Sequence, residues 1–303
     1  MRTSKVHVSW ATLFGALAVV SCGGDQPPGE RVVAVSYPTI GSIERLDSRL
    51  DAIVPADAAL EVISQGHAWV EGPVWVPALQ SILYSDIPNN AIYRWREGAP
   101  ESLWLQPSGY TGDVPREGES GSNGLTLDAQ GRLILAQHGD RRIARLIAPW
   151  DAPEPNFETL AGEFEGKRFN SPNDVALRSN GDLYFTDPPY GLQGGVEPKE
   201  LDFQGVYRLA ADGTLTLLVD DLSRPNGIAF SPDQSILYVA NSDGANQPVV
   251  MAYDVLPDGG LANGRVFFDS WGDGMAVDQE GNVYVTGPGG AVFAQTGGGG
   301  ALL

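Results

Sequence analysis

A repeated phrase constrains the fold more than any other feature of this chain. Each copy has a polar residue beside a short apolar run, then a turn with Asp, Asn or Gly, then a second strand. The copies recur about every fifty residues, a period typical of β-propeller blades. The sequence therefore predicts an all-β propeller. The five copies begin at Glu71, Asn123, Asn173, Asn226 and Asp273.

Composition agrees with a fold built from strands and turns. The chain has 303 residues, of which 38 are Gly and 22 are Pro, and only 19% are charged. The segments between the repeated phrases, such as AIYRWR and GVYRLA, alternate apolar and polar residues as half-buried strands do. No sustained 3.6-residue apolar period is present in the repeat region, so we expect few helices.

The five repeat-starting residues are the candidate functional residues. A propeller places the first strand of every blade around a central channel, so these side chains should face a common axis. A single Asn or Asp in this position is explained by its preference for turns. Five polar residues at the same position of five repeats, two of them with carboxylate side chains, favour a shared metal site.

The types of side chain favour calcium over zinc. Ca²⁺ binds six to eight oxygen atoms from carboxylates, amides, backbone and water. Zn²⁺ prefers His and Cys, whereas this chain has three His and one Cys without paired spacing. Calcium is therefore expected, with Mg²⁺, Mn²⁺ and Zn²⁺ left open.

A cation at the mouth of a channel could polarise a carbonyl oxygen while water attacks the carbonyl carbon, which suits hydrolysis of an ester or lactone. A general base is also required. Asp273 is the first candidate and His138, at the end of the strand LILAQ, is the second. Tyr190, in the turn DPPYG, could stack on a ligand.

Several longer motifs carry a family resemblance. They are EGPVW from Glu71, DIPNNAIYRW from Asp86, NSPNDVALRSNGDLYFTDPPYG from Asn170, DFQGVYRL from Asp202, RPNGIAFSPD from Arg224 and DGMAVDQEGNVYVTGPGG from Asp273. On these motifs, residues 62–290 resemble the gluconolactonase, regucalcin and luciferin-regenerating-enzyme family of six-bladed propellers. The resemblance implies six blades and a metal held by Glu71, Asn226 and Asp273, with Asn173 contacting metal or substrate.

A remoter similarity concerns the paraoxonase-type lactonases, in which two histidines were proposed as a base pair. His138 matches one of those positions, while Asn123 stands at the other. This departure favours Asp273 as the base, and Asn123, Asn173 and Tyr190 are expected to contact substrate. Regucalcin-like members carry an arginine where this chain has Ser171, which leaves the particular lactone open.

The expected function is that of a metal-dependent lactonase. The cation polarises the carbonyl of a sugar lactone, and water opens the ring. Two alternative functions would use the same protein without hydrolysing a lactone. One is a propeller that binds calcium or a sugar acid, and the other is a scaffold that presents its face to a protein partner.

The N-terminus predicts export. Arg2 and Lys5 precede the apolar residues 10–20, and VVSC ending at Cys22 resembles a bacterial lipobox. We expect residues 1–22 to be a lipoprotein-type signal peptide with lipidation at Cys22, residues 23–48 a flexible tether, and residues 49–303 the propeller. The protein would then be a bacterial cell-envelope lipoprotein, anchored in the membrane at its periplasmic face.

The net charge and the C-terminal sequence lead to two further expectations. A formal charge of −19 repels phosphate backbones, so nucleic acid is not an expected partner. The sequence QTGGGGALL from Gln295 departs from the repeat and predicts an incomplete last blade at a truncated C-terminus. An unfinished ring would expose strand edges.

Overall fold

The structure is a computed structural model that describes residues 36–192, 197–287 and 292–295. The predicted signal peptide, the lipidation of Cys22 and residues 23–35 of the predicted tether lie outside the described residues. Within the described residues, no helix is both long and apolar enough to cross a membrane. Their three short 3-10 helices are Ser48–Ala52, Pro77–Leu79 and Tyr190–Leu192.

The regular structure is dominated by antiparallel sheets. In chain order the strands are β1 (Val70–Val76), β2 (Ser81–Asp86), β3 (Ala91–Trp95), β4 (Ser102–Leu105), β5 (Ser122–Leu127), β6 (Leu133–Gln137), β7 (Arg142–Leu146), β8 (Phe157–Ala161), β9 (Glu163–Phe164), β10 (Lys167–Arg168), β11 (Val175–Leu177), β12 (Leu183–Asp187), β13 (Gly205–Leu209), β14 (Leu215–Val219), β15 (Pro225–Phe230), β16 (Ile236–Asn241), β17 (Val249–Val255), β18 (Leu261–Phe268), β19 (Met275–Val277), β20 (Val283–Thr286) and β21 (Val292–Gln295).

These strands form five successive sheets in which each strand pairs with the next along the chain. Blade 1 is β1–β4, blade 2 is β5–β8, blade 3 is β11–β14, blade 4 is β15–β18 and blade 5 is β19–β21. The short hairpin β9–β10 comes between blades 2 and 3 in sequence. Of the six predicted blades, the described residues form five, and the last of these has three strands.

The core consists of apolar layers between neighbouring blades. Side chains alternate between the two faces of a strand, so one strand supplies two layers. In β12, Phe185 belongs to the same apolar cluster as Ile134 of blade 2. The adjacent Tyr184 belongs to a cluster with Leu237 of blade 4. This packing explains why the second strand of each blade is largely buried.

The first strands of the blades lie side by side. β1 contacts β5, β5 contacts β11, β11 contacts β15 and β15 contacts β19. This order is the radial arrangement that the repeat predicts, with the start of each repeat at the centre.

The segment before β1 packs on blade 5. Thr39 forms a β-bridge with Glu61. Leu50, from the first 3-10 helix, is fully buried and clusters with Ile43 and Tyr284. The described part of the predicted tether therefore makes defined contacts with the sheets.

Candidate functional site

The repeat-starting residues occupy equivalent places in the blades. In β1 the pairing register shifts between Glu71 and Val74. The corresponding shifts in β5 and β15 lie between Ser122 and Leu125 and between Pro225 and Ile228, so each of these strands carries an irregularity of the β-bulge type at or directly after the candidate residue. A bulge changes the direction of a side chain. Asn173 and Asp273 lie two residues before β11 and β19. The structure brings all five predicted residues to the central channel.

Glycines next to the candidate residues allow the blades to approach closely. Gly72 has a φ of +57°, and a Cβ on it would lie 2.2 Å from the carbonyl oxygen of Asn123 in the next blade. A Cβ on Gly227 would lie 2.2 Å from the carbonyl oxygen of Asp273. Gly227 N also donates a hydrogen bond of 3.0 Å to that oxygen. The glycine of the repeated phrase thus allows direct contact between the backbones of neighbouring blades.

Two cavities meet at a ring of side chains. The mouth cavity has a volume of about 220 Å³ and includes Asp273 and Tyr190 in its wall. The inner cavity has a volume of about 450 Å³ and is largely apolar, with residues such as Leu125 and Ile228. Four side chains line both cavities and therefore form the boundary between them: Glu71, Asn123, Asn173 and Asn226.

The carboxylates at this ring are electrostatically unfavourable. Burial and the negative charge of Asp273 raise the pKa of Glu71 to about 8. Burial also raises the pKa of Asp273, against a hydrogen bond from Asn226, and Glu119 raises it further. Asp174, buried beside the ring, has a pKa raised to about 6, mainly by burial. A cation among these oxygens would relieve the repulsion between the carboxylates.

The donor set suits a hard divalent cation. Glu71 and Asp273 supply carboxylate oxygens, and Asn173 and Asn226 supply amide oxygens, which match the preference of Ca²⁺. Within the described ranges, no three His, Cys, Asp or Glu side chains form a metal-binding group by themselves. The amides are therefore required for a cation site here.

Hydrogen bonds to neighbouring side chains orient two of the amides. Asn123 Nδ2 lies 3.3 Å from His138 Nε2. Asn226 Nδ2 donates to Ser242 Oγ at 3.2 Å. The amide nitrogen of Asn123 is thus engaged by His138, whereas the amide nitrogen of Asn226 is shared between Ser242 and Asp273. Ser242 Oγ also lies 2.5 Å from the hydroxyl of Tyr190, which links the mouth to the ring.

His138 is placed behind the ring. Its side chain is fully buried, and it follows β6 directly, as the sequence predicts. It lies next to Asn123 and is not among the residues that line the mouth cavity. Its role as a base stays a prediction.

The sequence profile described as the SMP-30/Gluconolactonase/LRE-like region matches residues 69–302. The chain belongs to this family.

Individual family members support the assignment. The chain is 40% identical over 276 residues to a gluconolactonase of Zymomonas mobilis, an alignment covering 86% of this chain and 76% of the relative. The structure of a Xanthomonas campestris gluconolactonase superposes with a TM-score of 0.73 at 32% identity, covering 88% of this chain and 84% of the other. A calcium-binding regucalcin from Agrobacterium tumefaciens, with a TM-score of 0.58 and 20% identity over 79% of this chain and 74% of the other, shares the fold. The predicted family and the all-β propeller class are confirmed.

Ser171, where regucalcin-like members of the family carry arginine, supports the turn that bears Tyr190. Its hydroxyl donates to Pro188 O at 2.5 Å and accepts from Gly191 N at 2.9 Å. Ser171 is fully buried. Ser171 therefore supports, from the interior of the protein, the turn that carries Tyr190. It presents no charge to a ligand.

Five residues of the mouth were missed by the sequence reasoning: Trp69, Ile87, Glu119, Ser242 and Trp271. Trp69 stands two residues before Glu71, and its Nε1 donates to Glu71 Oε1 at 3.0 Å. Its place next to the repeated phrase was a usable signal. Glu119 belongs to the connection before β5, which has no counterpart in the repeat and gave no signal.

A second polar cluster supports the approach to β1. Ser64 Oγ lies 2.8 Å from His67 Nε2, and His67 Nδ1 lies 3.2 Å from Asp86 Oδ2. This row resembles a nucleophile, base and acid, but Glu101 Oε1 lies 3.2 Å from the same Nε2. The nitrogen that would accept the proton of Ser64 thus also contacts a carboxylate, and the Ser64 hydroxyl donates to Glu101 Oε2. The cluster fixes the chain instead, since Asp86 also accepts from Trp69 N.

Proposed function

We propose that this protein hydrolyses a sugar lactone with the help of a divalent cation, most simply Ca²⁺, held by Glu71, Asn173, Asn226 and Asp273. The observation that carries the proposal is the facing of Glu71 and Asp273 at the mouth cavity, where the pKa values of both carboxyl groups are raised by burial. The identity to a gluconolactonase supports the choice of substrate class.

A bound cation would supply polarisation of the lactone carbonyl. The residues of the chain would provide the rest. Asn123 and Asn173 line both cavities and can contact the hydroxyl groups of a sugar, while Tyr190 forms part of the mouth wall. Asp273 faces the mouth and would accept a proton from the attacking water. The water oxygen bonds to the carbonyl carbon, the ring C–O bond breaks, and the ring oxygen takes up a proton to leave a hydroxy acid.

Lactone turnover with and without a chelator tests this proposal. Acid release from gluconolactone is followed with a pH indicator, and spontaneous hydrolysis is subtracted. We expect turnover to stop in chelator and to return with Ca²⁺, Mg²⁺, Mn²⁺ or Zn²⁺. Turnover that ignores the chelator would remove the cation from the mechanism. Cation binding without turnover would favour the calcium- or sugar-acid-binding alternative.

We also propose that the protein is exported and anchored at the periplasmic face through a lipid on Cys22. The support is the lipobox-like VVSC after the apolar residues 10–20. Replacing Cys22 with Ser should move the protein from the membrane fraction to the soluble fraction of cells. Retention of the variant in the membrane fraction would contradict the anchor.

A further inference from the structure

The hydrogen bond between Asn123 and His138 determines where the histidine proton sits. Asn123 Nδ2 lies 3.3 Å from His138 Nε2. An amide nitrogen has hydrogens to donate and no lone pair to accept with, so Nε2 must be the acceptor. A neutral ring with a bare Nε2 carries its proton on Nδ1. With the amide in this orientation, the contact fits the tautomer that carries its proton on Nδ1.

The other ring nitrogen faces a carboxylate. His138 Nδ1 is buried and, within the described part of the chain, makes no hydrogen bond of good geometry. Glu119 Oε2 nevertheless lies 3.2 Å from it. A carboxylate near Nδ1 favours the tautomer with the proton on that nitrogen. Glu119, His138 and Asn123 therefore form a row in which each group fixes the next.

The row ends on an amide that lines both cavities. With Nδ2 of Asn123 held by His138, its Oδ1 is turned away from the histidine. Ser242, which lines the mouth cavity, accepts a hydrogen bond from Nδ2 of Asn226. The hydroxyl of Ser242 has no useful basicity, so the shared feature of His138 and Ser242 is the acceptor that they offer to an amide.

His138 is also closed off from the mouth. Its side chain has no exposed surface. Gly191 packs so closely that a Cβ added there would lie 2.9 Å from His138 Cβ. A general base must come within hydrogen-bonding distance of the proton that it removes. The nitrogen that could accept such a proton is the one occupied by Asn123.

We propose that His138 is a positioning residue and not the base: it holds the amide of Asn123 so that Oδ1 faces the channel, and Glu119 fixes the required tautomer. Without this acceptor the amide is free to rotate and present its NH₂ group, which can neither bind a cation nor accept from a sugar hydroxyl. The effect on turnover rests on the proposed lactonase function, whereas the tautomer does not.

Nitrogen NMR of the histidine rings tests the tautomer directly. Protein labelled with ¹⁵N in histidine is recorded near neutral pH, and the His138 signals are assigned by their loss in H138Q. We expect a neutral ring with the proton on Nδ1. An imidazolium, or a ring with the proton on Nε2, would overturn the proposal whether or not the protein hydrolyses lactones.

A double-mutant cycle tests the consequence for activity. Removing a group that orients a site residue typically costs about 10- to 100-fold, which we expect for H138A in kcat/KM. H138Q offers a carbonyl oxygen to Asn123 but cannot act as a base, so it should recover most of that loss. The double variant N123A/H138A should be about as slow as N123A alone, since His138 acts through Asn123.

The results separate the two proposals. If H138Q is as slow as H138A, or if the losses of N123A and H138A multiply, His138 acts on the reaction itself and the positioning role is wrong. If the wild-type protein hydrolyses no lactone, the proposed function fails, and the NMR tautomer still decides the position of the proton on His138.

Discussion

Carboxylates at the channel and carboxylates in the turns between the first and second strands of the blades have opposite environments. Asp128, in the turn between β5 and β6, accepts hydrogen bonds from Gln130 N and from Arg132 N and Nε. Burial acts to raise its pKa, but these hydrogen bonds outweigh it and the pKa is lowered. Glu71 accepts one hydrogen bond from Trp69 and faces Asp273, so its pKa is raised.

This difference shows which acidic residues serve the fold and which serve the site. Ionisation of a turn carboxylate strengthens the hydrogen bonds that close the hairpin. Ionisation of Glu71 or Asp273 brings like charges together in a buried place and lowers stability. Groups kept in such a costly state are typical of functional sites.

Neutralising one member of the facing pair should have the largest effect on activity. Asp273→Asn preserves the shape but removes the proposed base and a cation ligand. We expect kcat/KM for a sugar lactone to fall about 10³-fold. Because the charge facing Glu71 is also removed, melting in chelator should occur at the same temperature or higher. Substantial turnover by this variant would show that Asp273 belongs with the structural carboxylates.

Cation binding should make the environment of the channel carboxylates favourable for their ionised form, as the environment of the turn carboxylates already is. A cation at 100 times its Kd stabilises the folded state by about 2.7 kcal/mol, which corresponds to a rise in Tm of about 5–10 °C. Thermal melts in chelator and in excess Ca²⁺ measure this rise. In Glu71→Gln the rise should shrink. An equal rise in that variant would place the cation elsewhere.

Most of the site could be predicted because its residues belong to the repeat. Glu71, Asn226 and Asp273 share one position in their copies, and blade geometry converts that position into convergence at the channel. The sequence did not reveal that the first strands are irregular near Glu71 and Asn226. The glycine that follows each of these residues is compatible with several backbone conformations. Glu119 lies outside the repeat, so its approach to the site depends on how the connection before β5 folds.

The side chain of His138 is a second feature that the sequence predicted only in part. Its position after β6 was predicted correctly, but the direction of its ring was not accessible. The backbone of His138 donates to Gly121 O at 3.1 Å, which helps to set the chain direction at this point. The burial of the ring behind Asn123 follows from packing against the turn at Gly191, which belongs to another blade.

The channel carboxylates and the turn carboxylates should make the free energy of unfolding depend on pH with opposite signs. The pKa of Glu71 is raised from its usual 4.5 to about 8, so the folded state binds more protons than the unfolded state between these values. Stability in chelator should therefore fall as pH rises from about 5 to 8, by a few degrees in Tm. Glu71→Gln should flatten this slope, and so should added Ca²⁺. A Tm in chelator that rises over this range would contradict the repulsion between Glu71 and Asp273.

The turn carboxylates should show the reverse behaviour at lower pH. Asp128 and Asp278 have pKa values lowered by hydrogen bonds that outweigh burial, and the stability that they contribute is lost as pH falls below about 4. In chelator, where no cation competes with protons, this loss should be unchanged by Glu71→Gln. A loss below pH 4 that this variant alters would mean that the turns and the channel are coupled.

The smallest expected effect on activity is that of Asp128→Ala, which serves as the matched control for the site variants. The substitution removes hydrogen bonds to Arg132 and Gln130 and leaves Arg145 Nε, 3.1 Å from the carboxylate, without its partner, so we expect a loss of about 1–3 kcal/mol, or about 2–12 °C in Tm. The lactone kcat/KM and the rise in Tm with Ca²⁺ should equal those of the wild type, because Asp128 lies outside both channel cavities. A change in either quantity would show that stability lost at the edge of a blade reaches the channel, and the effects of Glu71→Gln and Asp273→Asn would then need correction for stability before they were assigned to chemistry.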